Sequence, residues 1–162
     1  MSDLFVAPPK LLLVDDDPMI IRLLTRVIEW SLAGEVEISS LSDPEAACQH
    51  LEQELVDIVV TDLEMPGVNG LEILACAKRW NPCTQVLFIT GHTTLDALTE
   101  AMERGASDYL LKPLDHSEFL EIIREALGRC RRWRKALAWT LAARRRDSQA
   151  SQVLSHTEGA TL

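Results

Sequence analysis

The stretch Leu11-Leu12-Leu13-Val14-Asp15-Asp16-Asp17-Pro18 places three carboxylates directly after a short apolar run. Two like charges about 4 Å apart, at an effective dielectric near 20, repel by on the order of 4 kcal/mol, so the folded chain must neutralise them. The apolar run has the length of a buried strand. Asp17 before Pro18 fits an N-cap followed by a proline in the first helical position. The stretch therefore predicts a strand that ends in two acids, Asp15 and Asp16, and leads into a helix.

The same alternation of buried strand and amphipathic helix repeats along the rest of the chain. Apolar, β-branched strands that alternate with helices are typical of a parallel sheet covered on both faces. The sequence therefore predicts an α/β fold, a (βα)5 doubly wound parallel sheet with an extended C-terminal helix. The predicted strands are 10–14, 35–40, 58–61, 85–90 and 107–111, and the predicted helices begin near Pro18, Pro44, Gly70, Thr94 and Glu118.

Composition and charge limit the kinds of protein that this chain can be. The chain has 162 residues, of which 47% are hydrophobic and 25% charged, as in proteins with a packed core. Residues 1–127 carry 8 Lys and Arg against 23 Asp and Glu, whereas residues 128–162 carry 8 against 2. An acidic body argues against nucleic-acid binding. No apolar run approaches the roughly 18 residues of a membrane span, and no secretion signal is recognisable. We therefore expect a cytoplasmic protein that binds no nucleic acid and has no transmembrane segment.

The four cysteines form neither a CxxC motif nor a tight cluster. Cytosolic proteins keep such scattered cysteines reduced. We therefore expect reduced and mostly buried thiols at Cys48, Cys76, Cys83 and Cys130.

Polar residues stand at the carboxyl ends of four predicted strands, where ligand sites form in open α/β sheets. Asp15 and Asp16 follow the first strand, Asp62 follows the third, Thr90 ends the fourth and Lys112 follows the fifth. Sites made of carboxylate oxygens suit a hard divalent cation, usually Mg²⁺. A cation among Asp15, Asp16 and Asp62 would make the clustered acids tolerable.

These residue types also fit one kind of chemistry. A carboxylate can attack phosphorus and form an acyl phosphate. The oxygens of the transferred group then need a metal on one side and a cation with hydrogen-bond donors on the other, which Lys112 and the Thr90 hydroxyl can supply. The chain has no Walker loop. The sequence therefore indicates phosphoryl transfer to an aspartate, without ATP binding through a P-loop.

Four segments of the chain, LLLVDDDP, VVTDLEMPGVNG, VLFITG and ASDYLLKPLD, resemble the receiver domain of bacterial response regulators. The resemblance spans residues 9–127 and implies a flavodoxin-like strand order 2-1-3-4-5. It implies that Asp62 accepts a phosphoryl group from a phosphohistidine on a sensor histidine kinase or a histidine phosphotransfer protein, with Mg²⁺ or Mn²⁺ required. Any enzymatic activity would be limited to self-catalysed phosphorylation and dephosphorylation of Asp62.

The resemblance also implies a metal-ligand set. Asp16 and Asp62 would bind the metal by their side chains, Glu64 by its backbone carbonyl, and Asp15 mostly through a water. Lys112 would contact Asp62 or a phosphoryl oxygen.

The resemblance also implies which residues change conformation on phosphorylation. Thr90 and Tyr109 resemble the pair that changes conformation on phosphorylation and alters the surface of the fourth helix, fifth strand and fifth helix. The Lys112–Pro113 peptide is expected to be cis. Glu64 and His92 each lie two positions after a functional residue, where side chains would modulate phosphoryl lifetime; plain surface residues are the alternative for both.

A different enzyme class offers an alternative interpretation. Haloacid-dehalogenase-type phosphatases also use a strand-end aspartate, and Asp15 would take that role here. However, Met19 stands where that motif has Thr or Val, and no acidic pair follows Lys112 at a strand end. This interpretation would also leave Asp62 without a function.

The ends of the chain lie outside the resemblance. Residues 1–8 are predicted to form an N-terminal tail, 128–146 a helical extension or linker, and 147–162 a disordered tail. Phe119, Ile123, Ala126, Cys130, Trp133 and Leu137 follow one another at alternating steps of four and three, a heptad pattern. Three interpretations stay open: a helix that dimerises and leads to an output domain, a helix that is itself the output, or a basic amphipathic helix that binds an acidic surface or membrane.

Overall fold

Five strands alternate with five helices in the computed structural model, which describes the backbone of residues 7–158 and the side chains of residues 7–145. The strands are β1 (Lys10–Val14), β2 (Glu37–Leu41), β3 (Ile58–Thr61), β4 (Gln85–Thr90) and β5 (Asp108–Leu111). The helices are α1 (Pro18–Ser31), α2 (Pro44–Gln53), α3 (Gly70–Trp80), α4 (Leu95–Glu103) and α5 (His116–Glu158). The predicted element order is confirmed.

The sheet is parallel throughout and has the order β2-β1-β3-β4-β5, which confirms the predicted (βα)5 topology. Successive side chains of a strand point to opposite faces. Leu11 and Leu13 therefore enter one apolar cluster, with residues of α1 and α5. Leu12 and Val14 enter the other, with residues of α2 and α3. Helices on both faces bury the central strands and leave their carboxyl ends at one open edge.

Two helices begin at the aspartate–proline pairs that the sequence contains. The Asp17 carboxylate accepts a hydrogen bond of 2.8 Å from the backbone N–H of Met19, and Asp43 accepts one of 2.9 Å from Glu45. Each cap satisfies a backbone N–H that has no partner within its helix. Asp17 is thus accounted for as the cap of α1, as predicted.

The expectation of reduced cysteines is wrong for two of the four. Cys48 on α2 and Cys76 on α3 form a disulfide, with their Cα atoms 5.8 Å apart. Cys83 is exposed, whereas Cys130 is buried as expected. The pair lies 28 residues apart in the chain and forms no local motif, so only the packing of α2 against α3 reveals it.

Helix α5 belongs in part to the compact unit that contains the sheet and in part to a second unit. Residues 8–128 form one compact unit, and residues 129–158 belong to a second unit together with Ala7. Within the second unit, the Arg134 guanidinium donates a hydrogen bond of 2.8 Å to the backbone carbonyl of Ala7. Trp133, Leu137 and Trp139 expose 69%, 52% and 70% of their surface, so their hydrophobic side chains face solvent.

The backbone of α5 continues to Glu158, through residues that we expected to be disordered. Gln149, Ala150, Gln152 and Leu154 in this segment have good helix propensity, which a search for hydrophobic periodicity does not register. Residues 1–6 and 159–162 of the two predicted tails lie outside the described residues. Within the described part of the chain, no helix has the length and apolar character needed to cross a bilayer.

Candidate active site

Three charged side chains from three strand ends meet at the open edge of the sheet. The Lys112 ammonium lies 2.7 Å from a carboxylate oxygen of Asp62 and 3.2 Å from one of Asp15. Asp15 and Asp62 are buried, with 5% and 8% of their surface exposed. The structure therefore brings together the predicted acceptor, the predicted lysine and one of the predicted acids.

Backbone hydrogen bonds between neighbouring strands hold these side chains in place. The N–H of Asp62 donates to the carbonyl of Val14 at 3.2 Å, and the N–H of Lys112 donates to the carbonyl of Thr90 at 2.8 Å. The second carboxylate oxygen of Asp62 accepts from the N–H of Glu64 at 3.2 Å. The Lys112–Pro113 peptide is cis, as expected. The aspartate and the lysine are thus fixed by the sheet itself.

Burial and neighbouring charges shift the pKa values of Asp15 and Lys112 in opposite directions. Burial raises the pKa of the Asp15 carboxyl, although the N–H of Asp17 and the charge of Lys112 partly offset it. Burial also lowers the pKa of Lys112, but the hydrogen bond to Asp62 and the charges of Asp15 and Asp62 outweigh burial, so its pKa is raised overall. Lys112 is therefore fully charged at neutral pH and neutralises much of the acidic charge around it.

The other predicted metal ligands lie at the rim. Asp16 is exposed and, with Glu64, lines a cavity of about 630 Å³ whose floor includes Leu63, Met65 and Leu71. Among the residues that the structure describes, no three His, Cys, Asp or Glu side chains are grouped closely enough to hold a metal ion. Asp15, Asp16, Asp62 and Glu64 nevertheless carry oxygen atoms near this edge of the sheet, and oxygen is the donor that Mg²⁺ prefers.

Thr90 and Tyr109 each make a hydrogen bond in the loop that follows β4. The buried Thr90 hydroxyl donates to the carbonyl of His92 at 2.8 Å and accepts from its N–H at 3.3 Å. The Tyr109 hydroxyl donates to the hydroxyl of Thr93 at 2.8 Å. The Tyr109 ring lies 5.8 Å from that of Phe88, centre to centre. Both predicted switch residues therefore bond to this loop, and Thr93 is a partner that the sequence did not indicate.

Glu64 and His92 face each other across the entrance to the site. A carboxylate oxygen of Glu64 lies 3.9 Å from Nδ1 of His92, and the two side chains are 67% and 86% exposed. A polar contact between side chains this exposed contributes little to stability. The sequence identified both residues without predicting that they meet.

Gly70 lies directly against the site, although the sequence did not assign it there. A Cβ atom at Gly70 would overlap the backbone carbonyl oxygen of Asp62, and it would lie 2.8 Å from the ring of Phe88 and 2.9 Å from Cα of Leu63. Asn69 and Glu72 form a reciprocal capping box at this end of α3. Gly70 thus lets the helix start directly against the backbone of the predicted phosphoacceptor.

The family to which the chain belongs follows from sequence comparison together with this geometry. The sequence model of the response regulator receiver domain matches residues 11–124, a segment that contains all three residues of the Asp15–Lys112–Asp62 group. The chain belongs to the response regulator receiver domain family. This match also favours a receiver over the phosphatase interpretation.

Curated relatives of this receiver domain are longer proteins. Response regulator protein FleR of Pseudomonas aeruginosa is 35% identical over 120 residues, covering 74% of this chain and 25% of FleR. The DNA-binding transcriptional regulator NtrC of Escherichia coli K12 is 33% identical over 116 residues, covering 71% of this chain and 24% of NtrC. This chain therefore spans about a quarter of the length of these two relatives.

Solved structures agree with the fold of this receiver domain. The signal receiver domain of an HD domain-containing protein from Pseudomonas fluorescens Pf-5 is 28% identical and superposes with a TM-score of 0.70. The superposition covers 76% of this chain and 97% of that chain.

Asp15→Asn is expected to stabilise the receiver domain. A carboxyl group whose pKa is raised by folding stabilises the folded state most at pH values below its pKa in the unfolded chain. This contribution is lost as the pH rises through its pKa in the folded chain. At pH 7 the buried charge of Asp15 is therefore unfavourable. Asparagine keeps the oxygen that accepts from Asp17, so we expect the free energy of unfolding to rise by on the order of 1 kcal/mol.

Urea titration at pH 7 measures this change, with Asp16→Asn as the control. Asp16 is exposed, so its replacement should change stability by less than about 0.5 kcal/mol. A loss of stability in Asp15→Asn would mean that the ion pair with Lys112 outweighs the cost of burial.

Proposed function

We propose that this receiver domain is a phosphorylation-controlled switch in a bacterial two-component or phosphorelay pathway. Asp62 accepts a phosphoryl group from the phosphohistidine of a sensor histidine kinase or histidine phosphotransfer protein. The observation that carries the proposal is the Lys112 ammonium, 2.7 Å from one oxygen of Asp62 and 3.2 Å from Asp15. We place this reaction in the cytoplasm.

The roles of the side chains follow from the charge that moves in phosphoryl transfer. An oxygen of Asp62 attacks phosphorus, the bond from phosphorus to the histidine nitrogen breaks, and the phosphoryl oxygens need positive charge and donors around them. Lys112 supplies a cation from the β5 side. The Thr90 hydroxyl, which now bonds to His92, becomes a donor once it rotates toward the phosphoryl group. These residues stabilise the transition state electrostatically.

A divalent cation, Mg²⁺ or Mn²⁺, would supply the remaining positive charge. Asp15, Asp16, the second oxygen of Asp62 and the backbone carbonyl of Glu64 would hold it. When bound, the cation neutralises phosphoryl oxygens that Lys112 does not reach. The exposed position of Asp16 beside the cavity leaves room for an ion to enter from solvent.

The switch itself would involve Thr90 and Tyr109. Rotation of Thr90 toward a phosphoryl group gives up its bonds to His92, which lies one residue before Thr93, the partner of Tyr109. Release of Tyr109 would alter the surface formed by α4, β5 and the start of α5, and thereby a partner or output domain. Glu64 and His92, at the entrance, are placed to influence how fast water reaches the phosphoryl group.

A small phosphodonor tests the proposed function. The full chain is mixed with acetyl phosphate and Mg²⁺, and the aspartyl phosphate is trapped by borohydride and located by mass spectrometry. We expect one phosphoryl group per chain, on Asp62, and none when the divalent cation is chelated. A label on Asp15 with multiple turnover would instead support the haloacid-dehalogenase-type phosphatase.

We also propose that the extension of α5 mediates homodimer formation, since Trp133 and Leu137 continue the heptad pattern and are exposed. Sedimentation at several concentrations should give dimers for the full chain and monomers for residues 1–127. A double variant, Trp133→Lys with Leu137→Lys, is the matched control that keeps the helix length. Identical monomers for the full chain and the truncated chain would contradict the proposal.

A further inference from the structure

We propose that Cys48 and Cys76 form a reversible thiol–disulfide site, which a low-molecular-weight disulfide closes and which then clamps α2 to α3. The inference is independent of phosphoryl transfer. It rests on the positions of the two cysteines, on their partial exposure and on the packing around them.

The two helices bring the cysteines together without help from the bond. Cα atoms 5.8 Å apart lie within the range that a disulfide spans without backbone movement. Helix α2 begins at the Asp43 cap and α3 at the Asn69 capping box, so both backbones are fixed at their N-termini. The thiols are therefore held as a preformed pair.

The packing between the helices indicates that the open form stays folded. Ala47 and Leu51 of α2 are buried in the same apolar cluster as Ile73, Leu74 and Ala77 of α3, and the two cysteines only flank this cluster. Burial of these side chains holds the helices together whether or not the sulfurs are bonded. Opening the bond is thus a local change, which reversible chemistry requires.

Partial exposure distinguishes this pair from a fully enclosed disulfide. Cys48 on α2 and Cys76 on α3 are each half-buried, so neither residue is completely covered by the fold. Partly exposed disulfides exchange with small thiols more readily than enclosed ones. Cys83 is exposed but belongs to the loop after α3, outside the pair.

The exchange balances as two displacements. One protein thiolate attacks glutathione disulfide, forms a mixed disulfide and releases one glutathione thiolate. The second cysteine attacks the mixed disulfide at the protein sulfur, closes the Cys48–Cys76 bond and releases the second glutathione. The protein loses two electrons and two protons, and one glutathione disulfide is reduced to two glutathione molecules.

The test titrates the reduced full chain with mixtures of glutathione disulfide and glutathione, then alkylates the remaining thiols and maps the peptides. We expect a Cys48–Cys76 cross-link that forms and reopens with the glutathione ratio while the chain stays folded. The matched control Cys83→Ser should behave like the wild type, whereas Cys48→Ser and Cys76→Ser should form no such link.

Stability provides a second readout on the wild-type chain, so the test does not depend on any variant. Closing a loop across 28 residues should raise the midpoint of thermal unfolding by on the order of 10 °C. Hydrogen exchange should slow in α2 and α3. Three results would overturn the proposal: a mixed disulfide that never closes, a link that involves Cys83 or Cys130, or a bond that excess dithiothreitol cannot open in the folded chain.

Discussion

Asp62→Asn is expected to abolish labelling by acetyl phosphate. The amide nitrogen and oxygen of asparagine carry no negative charge, so the side chain is not a nucleophile toward phosphorus. The substitution changes no volume, and Lys112 keeps Asp15 as a partner at 3.2 Å, so the chain should still fold. The loss of label would therefore report chemistry and not unfolding.

A control variant and an NMR measurement test the prediction for Asp62→Asn further. Asp96→Asn, an exposed position in the first turn of α4, is the matched control and should label like the wild type. Tyr109 is the single tyrosine of the chain, so selectively labelled tyrosine gives one ring signal by NMR. We expect acetyl phosphate to shift that signal in the wild type but not in Asp62→Asn. A persistent label on another residue of the variant would count against Asp62 as the acceptor.

Gly70→Ala should give the largest loss of stability. The added Cβ would overlap the Asp62 carbonyl oxygen and crowd Cα of Leu63, and neither backbone atom can rotate away as a flexible side chain would. Overpacking of a rigid site costs about 3 kcal/mol or more, since the strand or the helix must shift. We expect this loss in the free energy of unfolding, measured by urea titration.

Gly91→Ala is the matched control for this substitution. Its Cβ would lie 3.9 Å from the nearest atom, in the side chain of Lys112, which is an ordinary van der Waals contact. Its effect on stability should stay within about 0.5 kcal/mol. Equal losses of stability in Gly70→Ala and Gly91→Ala would show that the overlap with the Asp62 carbonyl does not cause the loss.

Local sequence patterns predicted the features that depend on short stretches of chain. Buried β-branched runs separated by helical spacing identify the parallel sheet, and parallel strands place their carboxyl ends on one edge. Asp15, Asp62 and Lys112 could therefore be assigned to one rim although up to 97 residues separate two of them. The cap at Asp17 likewise follows from neighbouring residues.

Contacts that depend on how helices and loops are placed were not predictable in this way. The Cys48–Cys76 bond depends on how α2 and α3 are oriented about their own axes. The periodicity of the sequence does not determine that orientation. The hydrogen bond from Tyr109 to Thr93 joins a strand to a loop of irregular backbone. The sequence predicted only a helix start near Gly70, whereas the importance of this residue lies in the space that its missing side chain leaves for Asp62.

The hydrogen bond between Tyr109 and Thr93 also affects how the proposed switch divides between its two conformations before phosphorylation. A bond between two neutral hydroxyl groups contributes about 1 kcal/mol net, which corresponds to roughly a five-fold preference for the bonded rotamer at room temperature. A bias of this size from the hydrogen bond alone would leave an appreciable minority of unphosphorylated molecules with the ring released. Phosphorylation would then need to enrich a conformation that is already sampled, and basal signalling would follow from that minority.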